Sequence, residues 1–279
     1  MNIYEETKFL MKKYGITANK SLGQNFLVDE SVILNAISQA GICKDDLVIE
    51  IGPGLGTFTN ELIKKAAKVV CVELDKKMVE ILEDRFKFFD NIEIINEDIL
   101  KVDIDKIVEE NKDLKVKIVG NLPYYITTPI IMKLLEGRAK FESITVMIQK
   151  EVADRLCAKT GTREAGAITY AVEYYANARK LIEVPHTSFI PMPNVESEVI
   201  ILEVRKEKNI KVKDEDKLFK VIKYAFMQRR KTLINALQNT EVCDDKEKLR
   251  DILHKLNIDE RVRGEALTLE QFAEIANML

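Results

Sequence analysis

The sequence predicts an α/β protein: a mostly parallel, seven-stranded sheet covered by helices, with a small all-α domain at its C-terminal end. Three observations predict it. Short apolar runs alternate with segments of helical period through the first half of the chain. A glycine-rich segment closes the first long apolar run. From Lys217 onward only helical patterns remain.

Taken in order, residues 30–40 read as a helix, with Val32, Ile33, Ala36, Ile37 and Ala40 at helical spacing and Gly41 as the stop. Residues 47–51 form a first strand, ended by glycines. Helix 58–65, strand 68–73, helix 76–86 and strand 92–95 follow. Strands at 116–120 and 143–149 come next, the second running into a helix over 151–158. After Tyr175 two further strands, 180–184 and 198–204, bracket a loop holding Pro185, Pro191 and Pro193. The charged stretch 205–216 reads as a linker, and helices are expected at 218–237, 246–256 and 269–278. The expected division is a domain of residues 1–206 and a helical domain of residues 207–279.

A chain of 279 residues is long enough for one large domain and one small one. With 46% hydrophobic and 32% charged residues it reads as globular, not disordered. Residues 1–20 hold no apolar core of signal-peptide length, and no run approaches the roughly 18 apolar residues of a membrane span. A soluble, cytoplasmic protein is expected, with monomer as the default. Cys43, Cys71, Cys157 and Cys243 are far apart and form no Cys-x-x-Cys pair, and His186 and His254 stand alone. No metal site and no disulfide is expected.

The net charge of −3 argues against a uniformly basic surface. The distribution is more telling. Residues 205–231 carry eleven Lys/Arg and four Asp/Glu, a local excess of +7. Such a patch can bind phosphates while the whole chain stays acidic, and a solvated helix face is the plainer alternative.

Open parallel sheets bind ligands beyond the carboxyl ends of their strands. Glu50-Ile51-Gly52-Pro53-Gly54-Leu55-Gly56 places a Gly-x-Gly-x-Gly turn there, with Thr57 next. A dinucleotide fingerprint would need Gly-x-Gly-x-x-Gly, so the spacing disfavours NAD and favours an S-adenosylmethionine loop. Glu73, at the end of the second strand, can accept from both ribose hydroxyls. Asp98, past the third, can accept from an adenine amino group. Either alone is more simply a strand-end charge; their succession argues for a site.

Asn121-Leu122-Pro123-Tyr124 ends the fourth strand. Two acceptors, such as the Asn121 side-chain oxygen and the Leu122 carbonyl, can bind both hydrogens of an exocyclic NH₂, and Tyr124 can stack on its ring. A strand-to-loop turn with a packed tyrosine is the bland reading. Methyl transfer to a base amine needs positioning above all, so no Asp or Glu is assigned as acid or base.

These segments together resemble the KsgA-type small-subunit ribosomal RNA adenine dimethyltransferases over nearly the whole chain. The resemblance rests on Leu22-Gly23-Gln24-Asn25-Phe26-Leu27, the glycine segment, Val72-Glu73-Leu74-Asp75, Asn121-Leu122-Pro123-Tyr124-Tyr125-Ile126-Thr127-Thr128-Pro129 and Gln149-Lys150-Glu151-Val152-Ala153. It continues in Phe189-Ile190-Pro191-Met192-Pro193-Asn194-Val195-Glu196-Ser197 and Arg230-Lys231-Thr232-Leu233. It implies a Rossmann-like class I methyltransferase sheet. It implies S-adenosylmethionine contacts at Asn25, Leu27, Gly52, Glu73, Asp98 and Asn121. It implies that Asn121 and Tyr124 hold the target adenine and that Phe189 covers its other face. The implied substrate is a pair of adjacent adenosines in a hairpin loop near the 3′ end of small-subunit rRNA, each methylated twice on N6 within a pre-ribosomal 30S-type particle. Arg229, Arg230 and Lys231 are the expected rRNA contacts, with pairing to acids of the helical domain, such as Asp244 or Asp245, as their structural alternative. Asn194 stands where many relatives carry a lysine. The rival readings are a large-subunit rRNA or DNA adenine methylase, an NAD-dependent oxidoreductase, and a non-enzymatic assembly factor on the same scaffold.

Overall fold

The computed structural model describes residues 2–19, 23–208 and 210–279. Helix α1 (Ile3–Lys13) leads into a two-residue strand β1 (Phe26–Leu27) and α2 (Glu30–Gln39). Then β2 (Asp46–Ile51), α3 (Thr57–Lys65), β3 (Lys68–Glu73), α4 (Lys76–Phe86) and β4 (Ile92–Asn96) alternate. They are followed by α5 (Ile104–Glu110), β5 (Lys115–Asn121), α6 (Thr127–Glu136), β6 (Ser143–Gln149) and α7 (Lys150–Leu156). After α8 (Ala167–Tyr175) come β7 (Ala176–Val184), the short β8 (Phe189–Ile190) and β9 (Ser197–Val204). The chain continues in α9 (Glu215–Met227), α10 (Leu233–Leu237), α11 (Lys246–Lys255) and α12 (Leu269–Met278).

Seven strands form one sheet in the order β4-β3-β2-β5-β6-β9-β7. β2, β3, β4, β5 and β6 run parallel, and β9 runs antiparallel to β6. Every residue of β2 is buried, as a strand covered on both faces requires. The chain moves outward from β2 through β3 to β4, then returns to β5 on the other side. The crevice between β2 and β5 is therefore a topological switch point.

Side chains fix where the helices begin. Asp29 caps α2 by accepting from the Ser31 N–H, and Asp75 caps α4 by accepting from the Lys77 N–H. One apolar core lies where α2 and α3 pack on the sheet, with Ile33, Leu62 and Val69 wholly buried.

The chain divides into two compact units, 1–153 with 179–204 and 154–178 with 205–279. The division falls elsewhere than the expected 206/207 boundary, because residues 154–178 belong with the C-terminal helices. Tyr170 and Tyr174 of α8 are buried in the helical core of the second unit. There the Tyr170 hydroxyl donates to the Leu267 carbonyl at 2.6 Å, and its ring meets Phe272 edge-on at 5.1 Å.

The single helix expected over 218–237 is two helices. α9 ends at Met227, and Thr232 starts α10 by accepting from the Asn235 N–H. Helices α1, α5, α6 and α8 were not predicted. No helix among the described residues is long and apolar enough to cross a membrane.

Candidate active site

A cavity of about 1040 Å³, its mouth included, opens at the switch point. Its walls come from the ends of β2, β3, β4 and β5 and from residues 23–27 beside β1.

The glycine turn forms one wall. Gly52 has φ +66° and Gly56 has φ +80°, left-handed values that L side chains rarely adopt. A Cβ at Gly56 would stand 2.7 Å from the Phe86 ring, so α3 could not enter its first turn beside α4. Gly52 lies across the crevice from β5, and a Cβ there would sit 3.8 Å from the Asn121 carbonyl oxygen. The two sequence segments that stood out are thus neighbours in space.

Glu73 ends β3 and is only 7% exposed. Its carboxylate accepts from the Gly54 N–H at 3.1 Å and the Asp75 N–H at 2.9 Å. Burial pushes its pKa up, opposed by those two N–H groups. Asp75 in turn accepts from the Gln24 side-chain amide at 2.9 Å, which fastens residues 23–27 to the head of α4. Asp98, half-buried past β4, accepts from the Leu100 N–H at 2.9 Å and borders the cavity.

Asn121 ends β5. Its Nδ2 donates to the Asn25 carbonyl at 3.0 Å, which leaves Oδ1 as the acceptor end of the amide. The Pro123 carbonyl is already occupied, by Thr127 Oγ1 at 3.1 Å and the Ile126 N–H at 3.2 Å. The Leu122 carbonyl accepts nothing from the described residues. The turn therefore offers two acceptors, Asn121 Oδ1 and the Leu122 carbonyl. Tyr124, half-buried, lines the same cavity, and its hydroxyl lies 2.7 Å from Ser197 Oγ.

Asn25, Leu27, Gly52, Glu73, Asp98, Asn121 and Tyr124 all border this one cavity. Leu22, which opens the quoted N-terminal segment, lies outside the described residues. Phe189 is not a wall. It is 2% exposed and packs in the core with Val119, Met147, Val184 and Val199. The cause is strand register: β8 pairs antiparallel with β1, Phe189 opposite Leu27, and the ring turns into the core. The expectation that Phe189 covers the far face of the base is corrected on this point.

The basic triplet also divides. Arg229 Nη2 binds Glu265 at 2.9 Å and the Arg163 carbonyl at 2.8 Å, and its guanidinium lies over the Phe226 ring. It is held within the helical unit. Arg229 thus takes the structural alternative, pairing with an acid of the helical domain, although that acid is Glu265 and Asp245 instead caps α11. Arg230 and Lys231 are exposed and form no ion pair among the described residues.

Sequence reasoning missed Glu50. It borders the cavity at 2% exposure, accepts from Thr59 Oγ1 at 2.7 Å, and is pushed up to about 7, chiefly by burial. The available signal was a carboxylate inside the otherwise apolar run 47–51.

Comparison with known proteins agrees with this geometry. The family model "Ribosomal RNA adenine dimethylase" matches residues 15–279. The chain belongs to that family. Among its relatives, the ribosomal RNA small subunit methyltransferase A of Lachnoclostridium phytofermentans is 49% identical, covering 99% of this chain and 96% of that one. The protein of the same name from Clostridioides difficile is 46% identical, covering 100% and 96%. The crystal structure of a dimethyladenosine transferase from Plasmodium falciparum superposes with a TM-score of 0.77 at 25% identity, over 90% of this chain and 95% of that one. The crystal structure of the 23S rRNA methyltransferase ErmE shares the fold, with a TM-score of 0.69 at 22% identity over 91% and 99%. The sheet is that of a class I methyltransferase, and members of this family are enzymes that use S-adenosylmethionine as methyl donor.

Proposed function

We propose that the enzyme dimethylates N6 of two adjacent adenosines in the 3′-terminal hairpin loop of small-subunit rRNA, as a cytoplasmic monomer acting on a pre-ribosomal particle. The observation that carries this reading is the Asn121 amide, whose donor end is tied to the Asn25 carbonyl. Its oxygen then points to the role of acceptor beside the Leu122 carbonyl. Two acceptors bind the two hydrogens of an exocyclic amine and direct the nitrogen lone pair out of the ring plane, toward the cofactor side of the crevice. Tyr124 stacks on the ring, a contact worth about 1–3 kcal/mol per base. Loop adenines suit such a pocket, because a base outside a duplex costs little to splay out.

The donor set fits S-adenosylmethionine. Glu73, with two N–H bonds already fixing its carboxylate, keeps lone pairs for ribose hydroxyls, and Asp98 accepts from the adenine amino group. The glycine turn lets the ligand approach the backbone closely. When bound, the group supplies an electrophilic methyl on a sulfonium. The side chains supply alignment, with reacting atoms about 3–3.5 Å apart, and the amine proton leaves to solvent after alkylation. Arg230 and Lys231 contact rRNA phosphates.

Small-subunit particles lacking the modification, large-subunit particles and adenine-containing DNA hairpins, each offered with labelled S-adenosylmethionine, test the reading. Dimethyladenosine in the small-subunit 3′ hairpin alone is the expected result, read by primer-extension stops and mass spectrometry. Label in large-subunit rRNA or DNA would overturn it in favour of those substrates. No transfer to any of them would favour a binding factor.

A further inference from the structure

Tyr124 stands in the irregular turn between β5 and α6, where a tyrosine ring has two torsions to fix. Its neighbour Tyr125 is 56% exposed, and the Tyr125 hydroxyl has no hydrogen bond among the described residues. The Tyr124 hydroxyl, by contrast, shares a 2.7 Å hydrogen bond with Ser197 Oγ. Ser197 is wholly buried and is not a wall of the cavity. It is the first residue of β9, opposite Gln149 of β6. The Lys150 N–H donates to the Glu196 carbonyl at 3.0 Å just beside it. The serine therefore sits on backbone paired into the sheet, with one side-chain torsion. A ring carried on an irregular turn is tied at its far end to a strand of the sheet.

We propose that Ser197 is a positioning residue: through the Tyr124 hydroxyl it sets the tilt of the ring against which the target base is held. The inference rests on the reading that Tyr124 holds the base. Burial raises the Tyr124 pKa, so the phenol stays protonated and the link persists across the neutral range. Neither hydroxyl touches the cofactor contacts proposed above.

The test is a double-mutant cycle on small-subunit particles at saturating S-adenosylmethionine. Its variants are Ser197→Ala, Tyr124→Phe, the double variant, Ser197→Thr and Tyr124→Ala. A lost neutral hydrogen bond predicts that Ser197→Ala and Tyr124→Phe each lower kcat roughly 3- to 10-fold. KM for the particle, calorimetric affinity for S-adenosylhomocysteine and melting temperature should stay near wild type. The double variant should be no slower than the slower single, and Ser197→Thr, which keeps the hydroxyl, should recover most of the rate. Tyr124→Phe probes the same bond from the other end, so the cycle survives a poorly folding serine variant. Wild-type kcat in Ser197→Ala overturns the inference, as does multiplication of the two single losses in the double variant. A loss that follows a lowered melting temperature overturns it as well. If Tyr124→Ala is inactive while Ser197→Ala is normal, only the positioning role fails. If Tyr124→Ala is normal, base holding by Tyr124 fails and the positioning role with it.

Discussion

Two buried carboxyls beside the crevice behave in different ways. Glu73 is useful as an acceptor only when ionised. Its raised pKa places loss of the charge above the 4.5 of an ordinary glutamate. Cofactor affinity should be full above that raised value and fall as pH drops through it, in a calorimetric titration across mildly acidic pH. Glu73→Ala should weaken S-adenosylmethionine roughly ten- to a hundredfold, the equivalent of about 1.5–3 kcal/mol for hydrogen bonds to a charged group. Unchanged affinity in a folded variant would remove Glu73 from the ribose site. Glu50 makes a stability statement instead. Its pKa is raised from 4.5 to about 7, so the folded protein keeps a proton that the unfolded chain has lost between those values. Wild-type stability should decline as pH rises through that window, by up to about 3 kcal/mol from this group. Glu50→Gln keeps an acceptor for Thr59 without the charge. Denaturant melts should therefore show the variant gaining on wild type from pH 4.5 to 7; parallel curves would disprove the assignment.

The same contrast governs which elements were legible. β2, β3 and β6 are buried along nearly their whole length, so their apolar runs were plain in the sequence. Helix α8 is buried too, with Tyr170 and Tyr174 inside the helical core. That burial erased the polar face by which a helix is recognised. Helix α6 opens on Thr127, Thr128 and Pro129, residues of low helix propensity, and its pattern was lost behind them. The break between α9 and α10 turned on the Thr232 cap, a local hydrogen bond that outweighed a continuous helical period. Residues whose role depends on a polar atom at a strand end, such as Glu73 and Asn121, were readable because strand ends are. Phe189 was misread because two-residue strands leave no periodicity, and only the pairing with β1 reveals which way its ring turns. Phe189→Ala should cost about 3–5 kcal/mol, on the order of 10 °C in melting temperature. Phe189→Tyr should also destabilise, by burying a hydroxyl without a partner. A stable, fully active Phe189→Tyr beside a stable, inactive Phe189→Ala would restore the stacking role.

Across the whole molecule, a chain of net charge −3 must meet a polyanion. The proposed contacts are correspondingly local. Arg229 is already bound to Glu265 and to the Arg163 carbonyl, whereas Arg230 and Lys231 are exposed. Arg230→Ala with Lys231→Ala should weaken particle binding and make the slope of log affinity against log salt shallower by somewhat under two units. Arg229→Ala should leave that slope alone and lower the stability of the helical unit. Filter binding across a salt series separates the two. A slope unchanged in the double variant, or flattened by Arg229→Ala, would reverse the division.

The bond from Asn121 to the Asn25 carbonyl runs to the main chain, and that has a consequence for how this enzyme can drift. Every amino acid carries that carbonyl, so replacing the side chain at position 25 leaves the contact standing. A scan of single substitutions would report position 25 only for what its own amide does and would be blind to its part in orienting Asn121. Evolution sees the same blindness as freedom. The side chain there can change without disturbing the orientation of the amide, whereas inserting or deleting one residue between positions 23 and 27 would displace the carbonyl and loosen it. For this one contact, position 25 is therefore tolerant in letters while the segment that carries it is strict in length.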